Sequence, residues 1–240
     1  MIIFIIPYRN RKYHKIHFIK YMEYILEDIT DYEILFVNQN DGRLFNRGAM
    51  KNFGFKYVKD KYPKTYTNIT LVFNDIDTIP AEKGLLNYET RHGVIKHFYG
   101  FDFCLGGIFS IKAGDFEKIN GFPNYWTWGL EDNTIHYRAK TYNILIDRSV
   151  FYKIGSMEII HSVDELIKFK KKSITTNTTL LHEKNGLDSL NSYTLDYIDG
   201  VLNVNSFDCK LYINLNDISE ITLKEGKHST RSIKMGLSFI

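Results

Sequence analysis

The first third of the sequence alternates short apolar runs with helical periodicity, and this order limits the possible folds more than any other feature. A continuous apolar run occupies residues 2–6, two further predicted strands occupy residues 32–40 and 68–77, and amphipathic segments at 16–29 and 49–58 lie between the strands. A continuous apolar run is typical of a strand covered on both faces. Strands that alternate with helices imply a parallel sheet with right-handed crossovers. We therefore predict an α/β fold: a Rossmann-like, mostly parallel sheet with flanking helices in a single domain.

Composition and charge are typical of a globular domain and do not favour a nucleic-acid-binding protein. The chain has 240 residues, 44% of them hydrophobic, which is enough for one sizeable core. Its 31 Lys and Arg against 28 Asp and Glu give a net charge of +3, and this balance does not favour a nucleic-acid partner. The densest basic run, "KFKKK" at 168–172, is interpreted as a solvated helix face or loop, with phosphate contact as the alternative.

The ends of the chain and its cysteines bear on organisation and location. The sequence has few prolines and no Ser/Gly-rich linker, so we predict one main domain over residues 1–216 and a C-terminal extension, residues 217–240, packed on it. The opening apolar run is too short for a membrane span and lacks a basic region before it. Cys104 and Cys209 form no CxxC pair, which favours a reducing compartment. We expect no membrane span and a cytoplasmic location.

Polar side chains follow each of the three predicted strands. In open α/β sheets, ligands bind at the carboxyl ends of the strands. The combination of Arg and Asp at these ends favours a metal-bound, phosphate-bearing ligand, whereas ordinary polar loops are the alternative. The residues concerned are Arg9, Asn10 and Arg11, then Asn38, Gln39 and Asn40, then Asn74, Asp75 and Asp77.

The stretch "FNDIDTIP" contains two acids, Asp75 and Asp77, at a spacing of two. Residues two apart on a strand point to the same face, so the two carboxylates are expected to lie side by side. Such a pair can hold a divalent cation that grips phosphates. The alternative is that the acids cap a turn or a helix.

The stretch "MEIIHS" offers further metal ligands. His161 follows Glu158 by three residues and Met157 by four. A histidine with a carboxylate at this spacing can complete a cation site begun by Asp77 if the fold brings them together. The alternative is an ordinary surface or core histidine.

The stretch "GFPNYWTWGLED" places aromatic rings just before two acids. Tyr125, Trp126 and Trp128 offer flat faces on which a sugar ring can stack. Glu131 and Asp132 are expected near the N-terminus of a helix, where the amide dipoles favour an ionised carboxylate. An ionised base can take the proton of a sugar hydroxyl. From these residues alone, an aromatic core with capping acids is an equally good interpretation.

Six segments, in order along the chain, resemble the β-1,4-galactosyltransferases, which are inverting enzymes with a GT-A fold. The resemblance covers roughly residues 3 to 200 and implies that residues 1–216 form a GT-A catalytic domain. "INGFPNYWTWGLED" is its most specific part. The segments are "FIIPYRNR", "FVNQNDGRLFNRGAMKNFGF", "VFNDIDTIP", "GGIFSIKAGDFEKINGFPNYWTWGLEDN", "IIHS" and "NGLDSLNSYTLD".

The resemblance implies a role for each matching position. Asp132 and Glu131 are the implied catalytic residues: Asp132 corresponds to the catalytic base, and Glu131 to an acid that binds the acceptor. Trp128 corresponds to a tryptophan on a mobile loop that closes over the donor. The implied donor-binding residues are Pro7, Arg9, Arg11, Phe45, Arg47, Asp75, Gly107 and Trp128; the implied acceptor-binding residues are Tyr125, Glu131 and Asn133; the implied metal ligands are Asp77, His161 and either Glu158 or Met157.

The implied function is transfer of a hexose, with galactose first, from a UDP-sugar to a sugar hydroxyl of a glycan or glycoconjugate. Mn²⁺ is the implied cofactor, with Mg²⁺ as an alternative. UDP-N-acetylgalactosamine, UDP-N-acetylglucosamine and UDP-glucose are alternative donors, and a non-catalytic UDP-sugar- or glycan-binding protein is the alternative from another class.

Several positions depart from the family pattern. Leu130 replaces a glycine and Asn133 replaces an acid, which alters the acceptor site. Glu158 stands where the family has methionine, and a carboxylate suits a hard cation such as Mn²⁺. A smaller residue near Cys104 or Leu105 replaces an aromatic that limits the size of the donor. The identity of the donor sugar therefore stays open at this point.

Overall fold

The computed structural model describes residues 1–162, 167–171, 185–209 and 218–222. The strands are β1 (Ile2–Tyr8), β2 (Tyr32–Gln39), β3 (Thr70–Asn74), β4 (Thr78–Pro80), β5 (Val94–Gly100), β6 (Ile108–Lys112), β7 (Leu145–Asp147), β8 (Tyr152–Lys153), β9 (Ile159–His161), β10 (Ile167–Lys171), β11 (Asn191–Ile198), β12 (Val201–Asp208) and β13 (Ile218–Thr222). The α-helices are α1 (Lys12–Ile25), α2 (Arg47–Lys61), α3 (Ala113–Lys118) and α4 (Glu131–Thr141).

A nine-stranded mixed sheet runs in the order β11-β12-β2-β1-β3-β6-β5-β7, and β8 also pairs with β5. β1 is parallel to both β2 and β3, and β12 is parallel to β2. β6 runs antiparallel to β3 and β5, and β11 runs antiparallel to β12. The predicted parallel α/β arrangement is therefore confirmed for the first three strands, and antiparallel strands extend the sheet on both sides.

β1 is buried on both faces, which accounts for its continuous apolar sequence. Ile3 and Ile5 pack in the cluster that includes the apolar side chains of α2. Ile2, Phe4 and Ile6 pack in a second cluster with the buried face of α1. The sheet thus separates two apolar layers, as expected when helices cover both faces.

The third strand is shorter than predicted. β3 ends at Asn74, so Asp75 and Asp77 lie in the following turn and not on a strand. The Asn74 side-chain amide donates to the carbonyl oxygens of Asp75 at 2.7 Å and of Thr78 at 2.8 Å. These hydrogen bonds turn the backbone at the point where the apolar run alone predicts continued extension.

β6 begins at Ile108, directly after the pair Gly106-Gly107. Gly107 has φ +73°, and a Cβ there would lie 2.3 Å from the carbonyl oxygen of Tyr99. Glycine at this position therefore lets the loop before β6 approach the backbone of β5 closely. A left-handed turn follows α3, because Asn120 and Gly121 have φ values of 60° and 58°.

The C-terminal extension predicted at 217–240 lies mostly outside the described residues. Its described part, β13, pairs antiparallel with β10. β10 contains most of the "KFKKK" run, so the backbone there is a strand, contrary to the predicted helix face or loop, and Lys172 lies outside the described residues. Within the described ranges, each helix is too short or too polar to cross a membrane.

Gly48, in the first turn of α2, is predicted to be essential for packing. A Cβ there would lie 2.0 Å from the carbonyl oxygen of Pro123, a backbone atom that cannot move aside as a side chain can. We expect Gly48→Ala to lower the free energy of unfolding by roughly 1–3 kcal/mol, because overpacking outweighs the better helix propensity of alanine. Urea unfolding measures this.

Gly42→Ala is the matched control, because a Cβ at Gly42 would meet nothing within 4 Å. Equal urea midpoints for the two variants would contradict the packing argument.

Candidate active site

A pocket of about 450 Å³ opens where β1, β2 and β3 end. Its wall also includes the loop that carries Trp128. Many of the residues predicted for the site line this pocket: Pro7, Arg9, Arg11, Phe45, Arg47, Asp75, Asp77, Trp128 and Glu131. Asn10, Gly42, Arg43, Leu44, Ile76 and Thr127 complete the lining.

Arg47 binds carboxylates from two distant segments at the pocket wall. Its NH1 donates to Asp75 Oδ2 at 3.2 Å, and its NH2 donates to Asp132 Oδ2 at 2.9 Å. Its Nε donates to Glu131 Oε1 at 2.9 Å, and its NH2 also bonds that oxygen. Although burial opposes the charge, the carboxylates of Asp132, Asp75 and Glu131 raise the pKa of Arg47 above its ordinary value. Arg47 therefore fixes these acids relative to one another.

Local sequence explains why Arg47 reaches this position. Asn46 caps α2, its side chain accepting from the backbone N–H of Ala49 at 2.9 Å, so Arg47 begins the helix. The loop before it is held by Gln39, whose side chain accepts from the N–H of Asn46 at 2.7 Å and donates to the carbonyl of Leu44 at 2.9 Å. An asparagine cap and a buried glutamine thus orient the arginine toward the strand ends.

Glu131 and Asp132 occupy the first turn of α4, as predicted. Glu131 is nearly buried, with 4% of its side chain exposed, and also accepts from the N–H of Gly129 at 3.0 Å. Asp132 is 19% exposed. A Cβ at Gly106 would lie 2.6 Å from Asp132 Oδ2, so glycine there leaves space for this carboxylate.

Burial has the largest effect on the pKa of Asp132 and raises it to about 6. Arg47 and Lys51 oppose this rise, and the neighbouring carboxylates of Glu131 and Asp75 add to it. A carboxylate with this pKa is ionised at neutral pH yet is a stronger base than an exposed aspartate. This is the property that a general base needs.

Lys51 belongs to the same cluster, although the sequence motifs did not predict it as a site residue. Its Nζ lies 3.7 Å from Asp75 Oδ1 and 3.9 Å from Asp132 Oδ1. It follows Arg47 by four residues on α2, so the two cations share one helix face. The spacing of four residues from Arg47 on a predicted helix was the sequence signal that could have identified Lys51.

Asp77 and His161 come together at a second point on the pocket edge. Thr78 of β4 pairs with His161 of β9, which places His161 Nε2 3.9 Å from Asp77 Oδ1. The other carboxylate oxygen, Asp77 Oδ2, accepts from Arg11 NH1 at 3.0 Å. His161 Nδ1 lies 3.2 Å from the hydroxyl of Tyr99.

The two alternatives for a third ligand do not join this pair. Met157 is 92% exposed, and Glu158 is also exposed. Across the described ranges, no three His, Cys, Asp or Glu side chains are arranged to hold a metal ion. The assignment of Glu158 or Met157 as a ligand stays a prediction.

The two tryptophans have different environments. Trp126 stacks on Phe207, with ring centroids 5.3 Å apart, and the Arg43 guanidinium lies 4.5 Å from the Trp126 ring centroid. Trp126 is therefore a packing residue and not an open sugar platform. Trp128 lines the pocket, which is consistent with its predicted contact with a donor.

The loop that holds Trp128 has an unusual backbone. Thr127 and Leu130 both have positive φ, 73° and 67°, although neither is glycine. The sequence resemblance implies a glycine where Leu130 stands, and a left-handed conformation costs a non-glycine residue roughly 1–2 kcal/mol. The substitution noted in the sequence therefore puts strain next to Glu131.

Other predicted residues lie beside the pocket and not in its wall. Tyr125 Oη lies 3.5 Å from Thr134 Oγ1, Asn133 is partly exposed on α4, and Gly107 lies close to the backbone of Tyr99.

Arg9, in the pocket wall, donates to the carbonyl oxygens of Asp41 at 3.2 Å and of Arg43. Its guanidinium thus also holds the loop after β2.

Comparisons with known proteins agree with this geometry. Residues 1–89 match the model for the N-terminal region of glycosyl transferase group 7, and residues 94–162 match the model for the N-terminal domain of galactosyltransferase. β-1,4-galactosyltransferase 1 of Bos taurus is 33% identical over 208 residues, which cover 80% of this chain and 50% of that protein. β-1,4-galactosyltransferase 7 of Drosophila melanogaster is 26% identical over 204 residues, covering 78% and 61%.

The fold is also found among solved structures. The catalytic domain of Drosophila β-1,4-galactosyltransferase 7, in complex with xylobiose, superposes with a TM-score of 0.67 at 21% identity, covering 88% of this chain and 94% of that one. A mutant of that protein, in complex with manganese, UDP-Gal and xylobiose, gives the same TM-score.

The match spans about half the length of β-1,4-galactosyltransferase 1 from Bos taurus and from Mus musculus. The two matched regions together cover well over half of the chain. With its GT-A type sheet and the acids of "WGLED" beside the pocket, the chain belongs to the β-1,4-galactosyltransferase family, glycosyltransferase group 7.

Proposed function

We propose that this chain transfers galactose, with inversion, from UDP-galactose to a hydroxyl group of a sugar acceptor, and that it uses Mn²⁺. Membership of the galactosyltransferase family supports the reaction class. The complex of the Drosophila relative with manganese, UDP-Gal and xylobiose supports the donor, the metal and a sugar acceptor.

One observation carries the proposal: Arg47 joins Asp75, Glu131 and Asp132 beside a pocket that is formed by three strand ends. Asp75 comes from the end of β3, whereas Glu131 and Asp132 come from α4. Residues that would bind a diphosphate and residues that would activate an acceptor thus meet at one wall. Transfer between two bound substrates requires this arrangement.

In the proposed step, Asp132 takes the proton of the acceptor hydroxyl as the hydroxyl oxygen forms a bond to the anomeric carbon of the donor sugar. The bond between that carbon and the phosphate oxygen breaks, and its electron pair leaves with UDP. Arg9, Arg11 and Arg47, which line the pocket, stabilise the growing negative charge of the diphosphate. Glu131, held by Arg47, orients the acceptor.

Asp77 and His161 fit a divalent cation. A carboxylate oxygen and an imidazole nitrogen are ligands that Mn²⁺ accepts, and Asp77 Oδ1 and His161 Nε2 face each other at 3.9 Å. If His161 Nδ1 donates to the Tyr99 hydroxyl, Nε2 presents its lone pair to the ion, as metal-binding histidines commonly do. A bound cation would supply Lewis-acid stabilisation of the diphosphate leaving group.

The choice of donor sugar rests on the loop that faces the base. The backbone N–H of Leu105 donates to the carbonyl of Asp132 at 3.0 Å, and the Cys104 thiol is buried. Burial raises the pKa of Cys104 to about 12, so this thiol does not act as a nucleophile. A small residue at position 104 leaves UDP-N-acetylgalactosamine, UDP-N-acetylglucosamine and UDP-glucose as alternative donors.

Asp132→Asn is predicted to slow transfer strongly while UDP binding is retained, because the amide keeps the shape of the side chain but cannot act as a base. We expect kcat to fall roughly 10²- to 10⁴-fold. Transfer assays with UDP-galactose and calorimetric titration with UDP measure the two properties. Asp115→Asn is the matched control, since Asp115 is also a largely buried acid in the first turn of a helix. Transfer by Asp132→Asn at the wild-type rate would show that another group is the base.

The pH dependence should follow the ionisation of Asp132. Its pKa lies near 6, so the active, deprotonated form is lost as the pH falls through that value. We expect kcat/KM to reach a plateau above pH 7 and to fall about tenfold per pH unit well below pH 6. The inflection should not move when the Mn²⁺ concentration is raised. An inflection that follows the Mn²⁺ concentration would indicate a metal ligand instead.

His161→Ala is predicted to weaken Mn²⁺ binding. Loss of a group that only hydrogen-bonds to a metal ligand commonly costs roughly 10- to 100-fold in metal affinity, so loss of a direct ligand should raise the Mn²⁺ concentration for half-maximal activity by at least that range. His92→Ala is the control, because that exposed ring contacts Asn68. Identical Mn²⁺ dependence of the two variants would remove His161 from the metal site.

A further inference from the structure

Lys51 is the most deeply buried charged side chain beside the site among the described residues, with 1% of its side chain exposed. It lies behind the pocket wall, on the second turn of α2. Its Nζ is also 4.5 Å from the centroid of the Phe122 ring. An ammonium group in such a place is costly to bury unless it is compensated. The carboxylates of Asp75 and Asp132 supply that compensation.

The carboxylate of Asp132 is approached by two cations. Arg47 binds Oδ2, and Lys51 lies 3.9 Å from Oδ1. Oδ1 is buried and accepts no hydrogen bond from the described part of the chain. The charge on that oxygen is therefore balanced through space by the ammonium of Lys51 and not by a hydrogen bond that would consume its lone pairs. This charge compensation favours the ionised carboxylate that a base needs.

We propose that Lys51 is a positioning residue for the catalytic base: its buried ammonium holds the ionised carboxylate of Asp132 in place from behind the pocket wall and keeps it ionised in a low-dielectric site. This rests on the proposed role of Asp132. Lys51 also lies 3.7 Å from Asp75 Oδ1, so it links the acid at the donor side to the base at the acceptor side.

The charges around Asp132 fix the direction of the expected effect. The cations Arg47 and Lys51 face it from α2, whereas Glu131 on its own helix and Asp75 after β3 add negative charge. The Cys104 thiol, from the loop before β6, is neutral because burial raises its pKa. Removing Lys51 leaves three carboxylates around one arginine. Proton uptake by Asp132 is then favoured.

Lys51→Met, which keeps much of the length of the side chain and removes its charge, tests the proposal. An opposite charge at close range commonly lowers the pKa of a carboxyl group by about 1–3, so its loss should move the inflection of kcat/KM upward by that amount. At pH 5, kcat/KM should fall roughly tenfold if the inflection rises by one pH unit, and activity should recover toward high pH. A merely structural loss would lower activity at every pH without moving the inflection.

Lys59→Met is the matched control. Lys59 lies two turns further along α2 and pairs with Glu117 at 2.5 Å, outside the pocket. We expect its pH profile to coincide with that of the wild type. An inflection in Lys51→Met that also coincides with the wild type would overturn the proposal.

Two further results separate the possible failures. If Asp132→Asn transfers galactose normally, the base is misassigned and the proposed function fails at that point. If Asp132→Asn is inactive but Lys51→Met has a wild-type profile, only the role of Lys51 fails.

If Lys51→Met does not fold, the urea unfolding of the double variant Lys51→Met/Asp132→Asn tests whether Lys51 compensates the charge of Asp132. Removal of the uncompensated carboxylate should then restore a cooperative urea transition. A double variant that is no more stable than Lys51→Met would overturn the proposal.

Discussion

The guanidinium of Arg47 is the point on which the site depends. It binds Asp75, which follows a central strand, and Glu131 and Asp132, which begin a helix more than fifty residues later in the chain. Like-charged carboxylates at such short range repel one another, and the positive charge of the guanidinium offsets that repulsion. The cap at Asn46 and the packing of Gly48 against Pro123 hold the helix that presents this guanidinium. Disturbance of that helix should therefore disturb the acceptor acids as well as the donor site.

The loop that carries Trp128 has an unusual backbone conformation next to Glu131 and Asp132. Thr127 and Leu130 are held at positive φ on either side of Trp128. The hydrogen bond from the N–H of Gly129 to Glu131 and the bonds from Arg47 to Glu131 secure the end of this loop. The hydrogen bonds that position Glu131 thus also fix the end of the loop that carries Trp128.

The central part of the fold was predictable because its signals are local, whereas the finer arrangement of the site depends on tertiary contacts. Apolar runs and helical spacing predicted β1, β2, α1 and α2, and polar residues after each strand predicted the pocket. The third strand ended early because of side-chain hydrogen bonds from Asn74, which periodicity does not register. Trp126 and Trp128 look equivalent in the chain, but Phe207 stacks on the first, and the second lines the pocket. Lys51 was not among the predicted site residues, because its proximity to two acids appears only in the folded chain.

The most direct test of the proposed function is the product formed from a panel of UDP-sugars. The purified chain would be incubated with Mn²⁺, xylobiose and other small sugar acceptors, and each donor in turn, and the product characterised by NMR. We predict turnover of UDP-galactose above UDP-glucose and the two N-acetylhexosamine donors, with the new galactose β-linked. An α-linked product, or UDP binding without transfer from any donor to any acceptor, would contradict the proposed function.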